Sequence, residues 1–285
     1  MINGISVGSV YALVALGYTM VYGIVKLINF AHGDIIMVSS YFLMVFLRKA
    51  GLPFPLAILL SVALSGALGA IVEKLAYKPL RGAPRINVLI TAIGVSILLQ
   101  NVFAWVFKQD NPASMPALLD GAINIGGVSI SKISVLTILV SVILMVTLSL
   151  LIKYTKMGKA MRAVSEDSGA AALMGINVDT TVSATFIIGS ALAAVAGVLF
   201  ASTYRLINPF MGSDFGLKAF IAAVLGGIGI IPGAMIGGFI MGVVESLAKG
   251  YVSTIFADTI VFTILIVILI FKPSGLLGKN IKEKV

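Results

Sequence analysis

The sequence predicts an all-α fold, a polytopic bundle of transmembrane helices with eight or nine spans and a short cytoplasmic helix between two of them. Hydrophobic residues make up 59% of the chain, charged residues only 11%, and the mean hydropathy is +1.12. A soluble domain of this length needs far more polar surface. The apolar residues are gathered in segments close to the about 20 residues that cross a hydrocarbon core about 30 Å thick. We therefore expect residues 1–285 to form a single transmembrane domain.

Nine apolar segments follow one another along the chain. They cover residues 4–25, 30–47, 53–72, 86–107, 133–152, 181–203, 216–231, 233–248 and 256–271, with boundaries good to a few residues. The seventh and eighth are short, rich in glycine and joined at Ile231-Pro232-Gly233, so they form either two tilted spans or one re-entrant hairpin buried in protein. The first begins almost at Met1 without a basic segment before it, and we expect a retained span rather than a signal peptide.

Basic residues predict the orientation. Three groups flank the spans: Lys74, Lys78, Arg81 and Arg85; Lys153, Lys156, Lys159 and Arg162; and Lys272, Lys279, Lys282 and Lys284. With nine spans all three groups fall on one side, which the positive-inside rule makes cytoplasmic, and the C-terminus is then cytoplasmic as well. Arg48 and Lys49 fall on the other side and break the pattern.

Several classes of function are disfavoured by composition. The net charge of +9 arises from loop residues of the kind that the positive-inside rule explains, so we expect no nucleic-acid partner. The chain has no cysteine and one histidine. This composition excludes thiol chemistry and argues against a histidine-rich metal site. No G-x-x-x-x-G-K-[ST] sequence occurs, since Gly158-Lys159 is followed by Ala160. We expect no cofactor on this chain, so any ATP that drives it is bound by another chain.

The polar segment from about 156 to 178 has the pattern of a docking surface. Its run from Ala160 to Met174 is rich in helix formers, and we expect Gly169 to divide it into two short helices and Gly175 to end the second. The residues expected to form the surface are the charged Arg162, Glu166 and Asp167, the small or apolar Ala170, Ala171, Leu173 and Met174, and Gly175. A helix lying on the membrane surface is the alternative, but such helices carry bulkier apolar anchors and a lysine-rich face. The small alanines and central acids favour a groove in another protein.

Two further segments carry candidate residues of a translocation path. In the glycine-rich pair, spacings of four at Gly233/Gly237 and Gly238/Gly242 favour close helix packing. The turn residues Gly226, Gly227 and Gly229 either pack or form a pore wall, and Glu245 lies either at the interface or against a water-filled interior.

The connector Asn29-Phe30-Ala31-His32-Gly33-Asp34 is the second segment. It either caps the second span through Asp34 or lines a polar gate with Asn29, His32 and Asp34. The sequence leaves these two interpretations open. Gln100 and Asn101, inside the fourth segment, are expected to hydrogen-bond to other helices.

At these segments the chain resembles the LivH-type permease subunits of bacterial ABC importers for branched-chain amino acids. The resemblance covers nearly the whole chain. It is carried by Gly8-Ser9-Val10-Tyr11-Ala12-Leu13, Asn29-Phe30-Ala31-His32-Gly33-Asp34, the segment Arg162–Val178 and the stretch Gly216–Gly242 with Ala219-Phe220 and Gly233-Ala234. One departure is Ser39-Ser40-Tyr41, where the family often has Gly-Ala-Tyr.

The resemblance implies a transporter subunit of the bacterial inner membrane rather than an enzyme. It implies four kinds of partner: a second homologous permease, two ABC ATPase subunits that carry ATP and Mg, an extracytoplasmic substrate-binding protein and membrane lipid. The segment from Arg162 to Gly175 would be the coupling helix seated in an ATPase. A permease for urea or short-chain amides shares the motifs and is the first alternative. A self-sufficient secondary transporter or channel is the second, which the scarcity of acids within the spans disfavours.

Overall fold

The computed structural model describes residues 1–26, 29–108, 113–116, 118–125 and 128–278. Lys279, Lys282 and Lys284 of the third basic group lie outside these described residues. The long helices are α1 (Ile2–Val25), α2 (His32–Arg48), α3 (Phe54–Val72), α4 (Arg85–Phe107), α5 (Lys132–Tyr154), α8 (Val178–Tyr204), α9 (Met211–Gly226), α10 (Ile231–Tyr251) and α11 (Ala257–Phe271). Two short helices, α6 (Lys156–Glu166) and α7 (Ser168–Leu173), stand between α5 and α8.

Short irregular elements complete the described chain. A π-helical turn (Glu73–Tyr77) and a 3-10 turn (Lys78–Leu80) extend α3. The strands are β1 (Ala113–Ser114), β2 (Ala122–Ile125), β3 (Val128–Ser131) and β4 (Leu206–Ile207). β2 and β3 form an antiparallel hairpin, and β1 pairs antiparallel with β4.

Each of the nine apolar segments overlaps one of the nine long helices, and the predicted helical fold is confirmed. The seventh segment was placed five residues too late, because α9 ends at Gly226 and residues 227–230 form a turn. Among the described residues, six helical stretches are long and apolar enough to cross a membrane: 2–25, 54–80, 86–107, 132–154, 178–204 and 231–251. The helices α2, α9 and α11 have 17, 16 and 15 residues and fall short of that length. The structure therefore supports six spans by length, and the expected eight or nine are not confirmed.

Helix α1 lies at the centre of the bundle. It packs against α5, α8, α9 and α10, and its middle is buried on every side. Its contact with α10 is made backbone to backbone, because a Cβ atom on Gly238 would overlap Ala12 and one on Gly242 would overlap Gly8. The sequence interpretation of these two glycines as a packing face is thus correct. Small residues allow such approach in lipid, where dispersion contacts replace the hydrophobic effect as the driving force.

Helix α2 begins inside the bundle rather than at its surface. Its first residue, His32, places its imidazole against Gly17, and α1 continues for eight residues beyond that point, about 12 Å of helix. The N-terminus of α9 meets α2 at the same place, since Gly33 packs directly on the backbone of Gly212 and Gly216. The internal start explains why α2 is short.

One end of the bundle gathers the basic groups, and we call it the basic end. Lys78 and Arg81 both form ion pairs with Asp179 at the start of α8, directly after the 156–178 segment. The chain after α11 reaches the same end, where the Leu276 and Leu277 amides donate to the carbonyls of Leu225 and Gly226. The three basic groups therefore share one end as far as the described residues extend, in agreement with the sequence prediction.

The opposite end carries the β-hairpin, and we call it the hairpin end. There Arg48 donates to Ser114 Oγ at 2.8 Å, and Arg205 pairs with Asp120 at 2.5 Å. The Met115 amide also donates to the Arg205 carbonyl. Arg48, which departs from the charge pattern, thus has a structural partner at this end.

The α1–α10 contact makes a direct prediction about stability. Gly242→Ala is expected to lower the free energy of unfolding by about 1–3 kcal/mol, because the added methyl overlaps Gly8 and forces the helices apart. Gly250→Ala, in the same helix but with open space around the added methyl, is the matched control and is expected to cause no loss. Thermal unfolding of the purified proteins in one detergent measures both. Equal melting temperatures would contradict the packing assignment.

Candidate functional site

The predicted docking segment forms two helices, but the break lies elsewhere than expected. Helix α6 ends at Glu166 and α7 begins at Ser168, so the division falls at Asp167 and the expectation that Gly169 breaks the segment is wrong. Asp167 is extended, and its Oδ1 accepts hydrogen bonds from the amides of Gly169 and Ala170. An aspartate that satisfies the free amides of the next helix ends one helix and starts another more effectively than glycine flexibility does.

The C-terminal end of α7 presents two large apolar residues outward. Leu173 is 91% exposed and Met174 is 82% exposed, whereas Ala171 is buried against the bundle and Ala170 is exposed. Gly175 adopts φ of +81° and ends the helix, as predicted. Two large apolar side chains fully outside a bundle, at an end rich in charge, form a small protruding contact surface.

Helix α6 is fixed firmly to α5. Only Thr155 separates the two helices, and its hydroxyl accepts a hydrogen bond from the Gly158 amide. Gly158 lies on the backbone of Ile152, and the Arg162 guanidinium donates to the Ile152 carbonyl. Met161 fills the buried side of α6. A displacement of α6 must therefore displace the end of α5.

A cavity of about 550 Å³ opens at the basic end between α6 and the glycine turn that joins α9 to α10. Its lining includes Arg162, Ser165 and Glu166 of α6 and Gly229 of the turn. The end of α1 and the chain at 273–278 close its other sides. Two residues predicted for docking and one predicted for the path thus border one space.

The three glycines of the turn have different surroundings. Gly226 lies on the backbone of Gly233, and Gly227, with φ of +106°, lies on the backbone of Gly278. Gly229 has φ of +91° and only Gly23 near it, so it is the one of the three that borders the cavity. Packing explains Gly226 and Gly227, while a wall of the cavity explains Gly229.

A buried polar junction forms where α2 starts. Tyr77 Oη donates to Asn29 Oδ1 at 2.6 Å, and the His32 ring lies 4.8 Å from the Tyr18 ring. Asn29, His32 and Asp34 are all buried, so the described conformation holds them inside the bundle rather than along an open passage. Three polar atoms near this point have no hydrogen-bond partner among the described residues: His32 Nε2, Asp34 Oδ2 and Tyr18 Oη.

Asp34 joins three helices and does not cap its own. The cap position of α2 is Ala31, which makes the capping interpretation wrong. Instead Gln100 Nε2 of α4 donates to Asp34 Oδ1 at 2.9 Å and lies 2.6 Å from Ser213 Oγ of α9. The expectation that Gln100 bonds other helices is confirmed, whereas Asn101 donates only to the Ile97 carbonyl of its own helix.

Glu245 is an ion-pair centre near the hairpin end. It is 2% exposed, and its carboxylate accepts from Tyr11 Oη at 2.6 Å, Lys218 Nζ at 2.9 Å and Lys249 Nζ at 2.6 Å. Lys218 also pairs with Asp258 at 2.7 Å. Sequence reasoning missed Tyr11, Lys218 and Lys249 as partners of Glu245, and Asp258 as the second partner of Lys218. A lysine inside an apolar segment was the available signal, because an intramembrane charge requires a partner.

Comparison with known proteins places these features in a family. Residues 1–270 match the family described as the permease component of the branched-chain amino acid transport system. The chain is 43% identical to the high-affinity branched-chain amino acid transport system permease protein LivH of Salmonella typhimurium, over 100% of this chain and 96% of that protein. It is 44% identical to the corresponding permease protein BraD of Pseudomonas aeruginosa, over 100% and 97%. No solved structure matches the chain.

The junction at Asp34 predicts a matched pair of variants. Gln100→Leu is expected to lower the free energy of unfolding by about 1–3 kcal/mol, because it removes the amide that joins buried Asp34 to Ser213. Asn101→Leu, one position along the same helix, removes only an exposed amide and is expected to change stability by less than about 0.5 kcal/mol. Denaturation of both proteins in the same detergent measures the difference. A loss of equal size in the two variants would contradict the junction.

Proposed function

Since this chain belongs to the family of branched-chain amino acid transport permease components, we propose that it is the inner-membrane permease subunit of an ATP-driven importer that carries branched-chain amino acids into the cytoplasm. The observation that carries the proposal is the full-length identity of 42–44% to curated permeases of this kind. The apolar helical bundle is the architecture that such a subunit requires.

The segment 156–178 is the coupling segment of this importer. Leu173 and Met174 protrude as anchors for a groove on an ATPase subunit, and Arg162, Glu166 and Asp167 supply charge around them. The assignment is supported by the rigid connection of α6 to α5 through Thr155, which transmits a push on α6 into the bundle. Each ATPase subunit binds its own ATP and Mg, and this chain supplies the moving contact.

Movement at the coupling segment reaches the path through the cavity at the basic end. The α6 residues Arg162 and Glu166 face the turn at Gly229 across that space, so a shift of α6 changes its width. The other path residues are those predicted from sequence: Asn29, His32, Asp34, Gly226, Gly227 and Glu245. The buried junction at Asp34 forms a closed point between α2, α4 and α9 that separates in another state of the cycle.

The complex contains a second homologous permease, two ABC ATPase subunits and a substrate-binding protein on the outer side of the membrane. The basic end faces the cytoplasm, because it gathers the Lys and Arg residues that the positive-inside rule retains there. The C-terminus then lies in the cytoplasm and the β-hairpin faces the binding protein.

Leucine uptake by the reconstituted complex tests the function and the coupling surface together. Uptake is expected to require ATP and the binding protein. Leu173→Arg is expected to reduce copurification of the ATPase subunits by at least about tenfold, because an arginine buried without a partner costs a few kcal/mol. Ile123→Arg on the exposed hairpin is the matched control and should leave copurification unchanged. Full uptake by Leu173→Arg would contradict the coupling surface, and uptake of urea in place of leucine would overturn the substrate.

Single-cysteine labelling tests the orientation, since the natural chain contains no cysteine. Ser129→Cys on the hairpin is expected to react with a membrane-impermeant maleimide in intact spheroplasts. Gly82→Cys, at an open position in the loop between α3 and α4, is expected to react only after permeabilisation. The reverse pattern would place the coupling segment outside the cell and exclude an ATPase contact there.

A further inference from the structure

Four charged residues form a neutral cluster near the hairpin end. Two ammonium groups, Lys218 and Lys249, meet two carboxylates, Glu245 and Asp258, with the three ion pairs at 2.6–2.9 Å. Charges at membrane depth are costly, and they are retained mainly where they bind one another or a ligand. The proposed path includes Glu245 but gives no role to Lys218, Lys249 and Asp258.

A cavity of about 650 Å³ opens beside the cluster, which is within the usual size of small-molecule sites. Glu245 and Lys249 form its charged wall. Val7 of α1 and the rings of Tyr204 and Tyr251 form an apolar wall. A carboxylate, an ammonium group and an apolar surface are therefore combined in one space, separate from the cavity at the basic end.

The four charged residues are not held equally. Lys218 is 13% exposed and bound on both sides by Glu245 and Asp258, so it is a fixed part of the bundle. Lys249 is 46% exposed and bonds only to Glu245 among the described residues. The Lys249–Glu245 pair is thus the one that opens at small cost, since an exposed lysine regains water when it leaves.

We propose that this cavity binds the ammonium and carboxylate groups of an aliphatic amino acid during transport. This inference rests on the proposed function. The α-ammonium group replaces Lys249 at Glu245 Oε1, and the released Lys249 binds the α-carboxylate. Tyr11 and Lys218 keep their hydrogen bonds to Glu245 throughout. The branched side chain packs on Val7 and the rings of Tyr204 and Tyr251.

Charge balance supports this exchange. One ion pair within the protein is replaced by two between protein and ligand, and every charge keeps a partner in the low-dielectric space. A neutral amide or urea offers neither an ammonium group nor a carboxylate and leaves the Lys249–Glu245 pair intact. The site therefore selects for zwitterions rather than for small polar molecules in general.

Equilibrium binding of radiolabelled leucine tests the site. The probe is added to the complex of this chain with its partner permease and ATPases in nanodiscs, without binding protein. Lys249→Met and Glu245→Gln are each expected to weaken leucine binding by at least about tenfold, as for the loss of one charge-assisted hydrogen bond. Lys132→Met, an exposed lysine at the same end but outside the cavity, is expected to bind like the wild type.

Competition by leucinamide, which keeps the ammonium group but lacks the carboxylate, separates recognition from structural damage. The wild-type complex is expected to prefer leucine over leucinamide, and Lys249→Met is expected to lose that preference because the carboxylate has no partner. A Lys249→Met complex that keeps the preference would overturn the site, as would a wild-type complex that transports leucine but does not bind it here. Absence of leucine uptake with binding protein and ATP would instead overturn the proposed function.

Discussion

The close contact between the backbones of α1 and α10 is the constraint on which the rest of the bundle depends. Gly8 and Ala12 on one helix and Gly238 and Gly242 on the other leave no room for a side chain between them. The two cavities lie at opposite ends of this pair, one beside the end of α1 and the start of α10, the other beside the start of α1 and the end of α10. The glycine contact therefore lies between the two spaces in the described conformation.

The buried junction at Asp34 joins helices at a second place in the bundle, away from the contact between α1 and α10. Helix α2 begins inside the bundle, and Gln100 of α4 joins its Asp34 to Ser213 in the first turn of α9. In the proposed path, the tight glycine packing of α1 on α10 thus stands beside a hydrogen-bonded joint at Asp34.

The sequence predicted the nine long helices because the length of an apolar segment and the polar residues that end it are local properties of the chain. The two short helices of the segment 156–178 were expected on the same basis. The break at Asp167 was not predicted, because the residue pattern does not show whether a side-chain cap or a flexible glycine will separate the two helices. The internal start of α2 and the pairing of Glu245 with Lys218 depend on contacts between segments distant in the chain. The residue pattern of one segment does not show which distant segment it contacts.

The chain that follows α11 has a consequence for biosynthesis. Its amides at Leu276 and Leu277 hold the carbonyls of Leu225 and Gly226, and its backbone packs on Gly227. This stretch leaves the ribosome after every long helix of the bundle has been made. The glycine turn therefore lacks these contacts until α11 is inserted. The wall of the neighbouring cavity is completed last. The contacts of the basic end thus form in a fixed order, and a nascent chain that lacks this final stretch leaves the glycine turn uncovered during insertion.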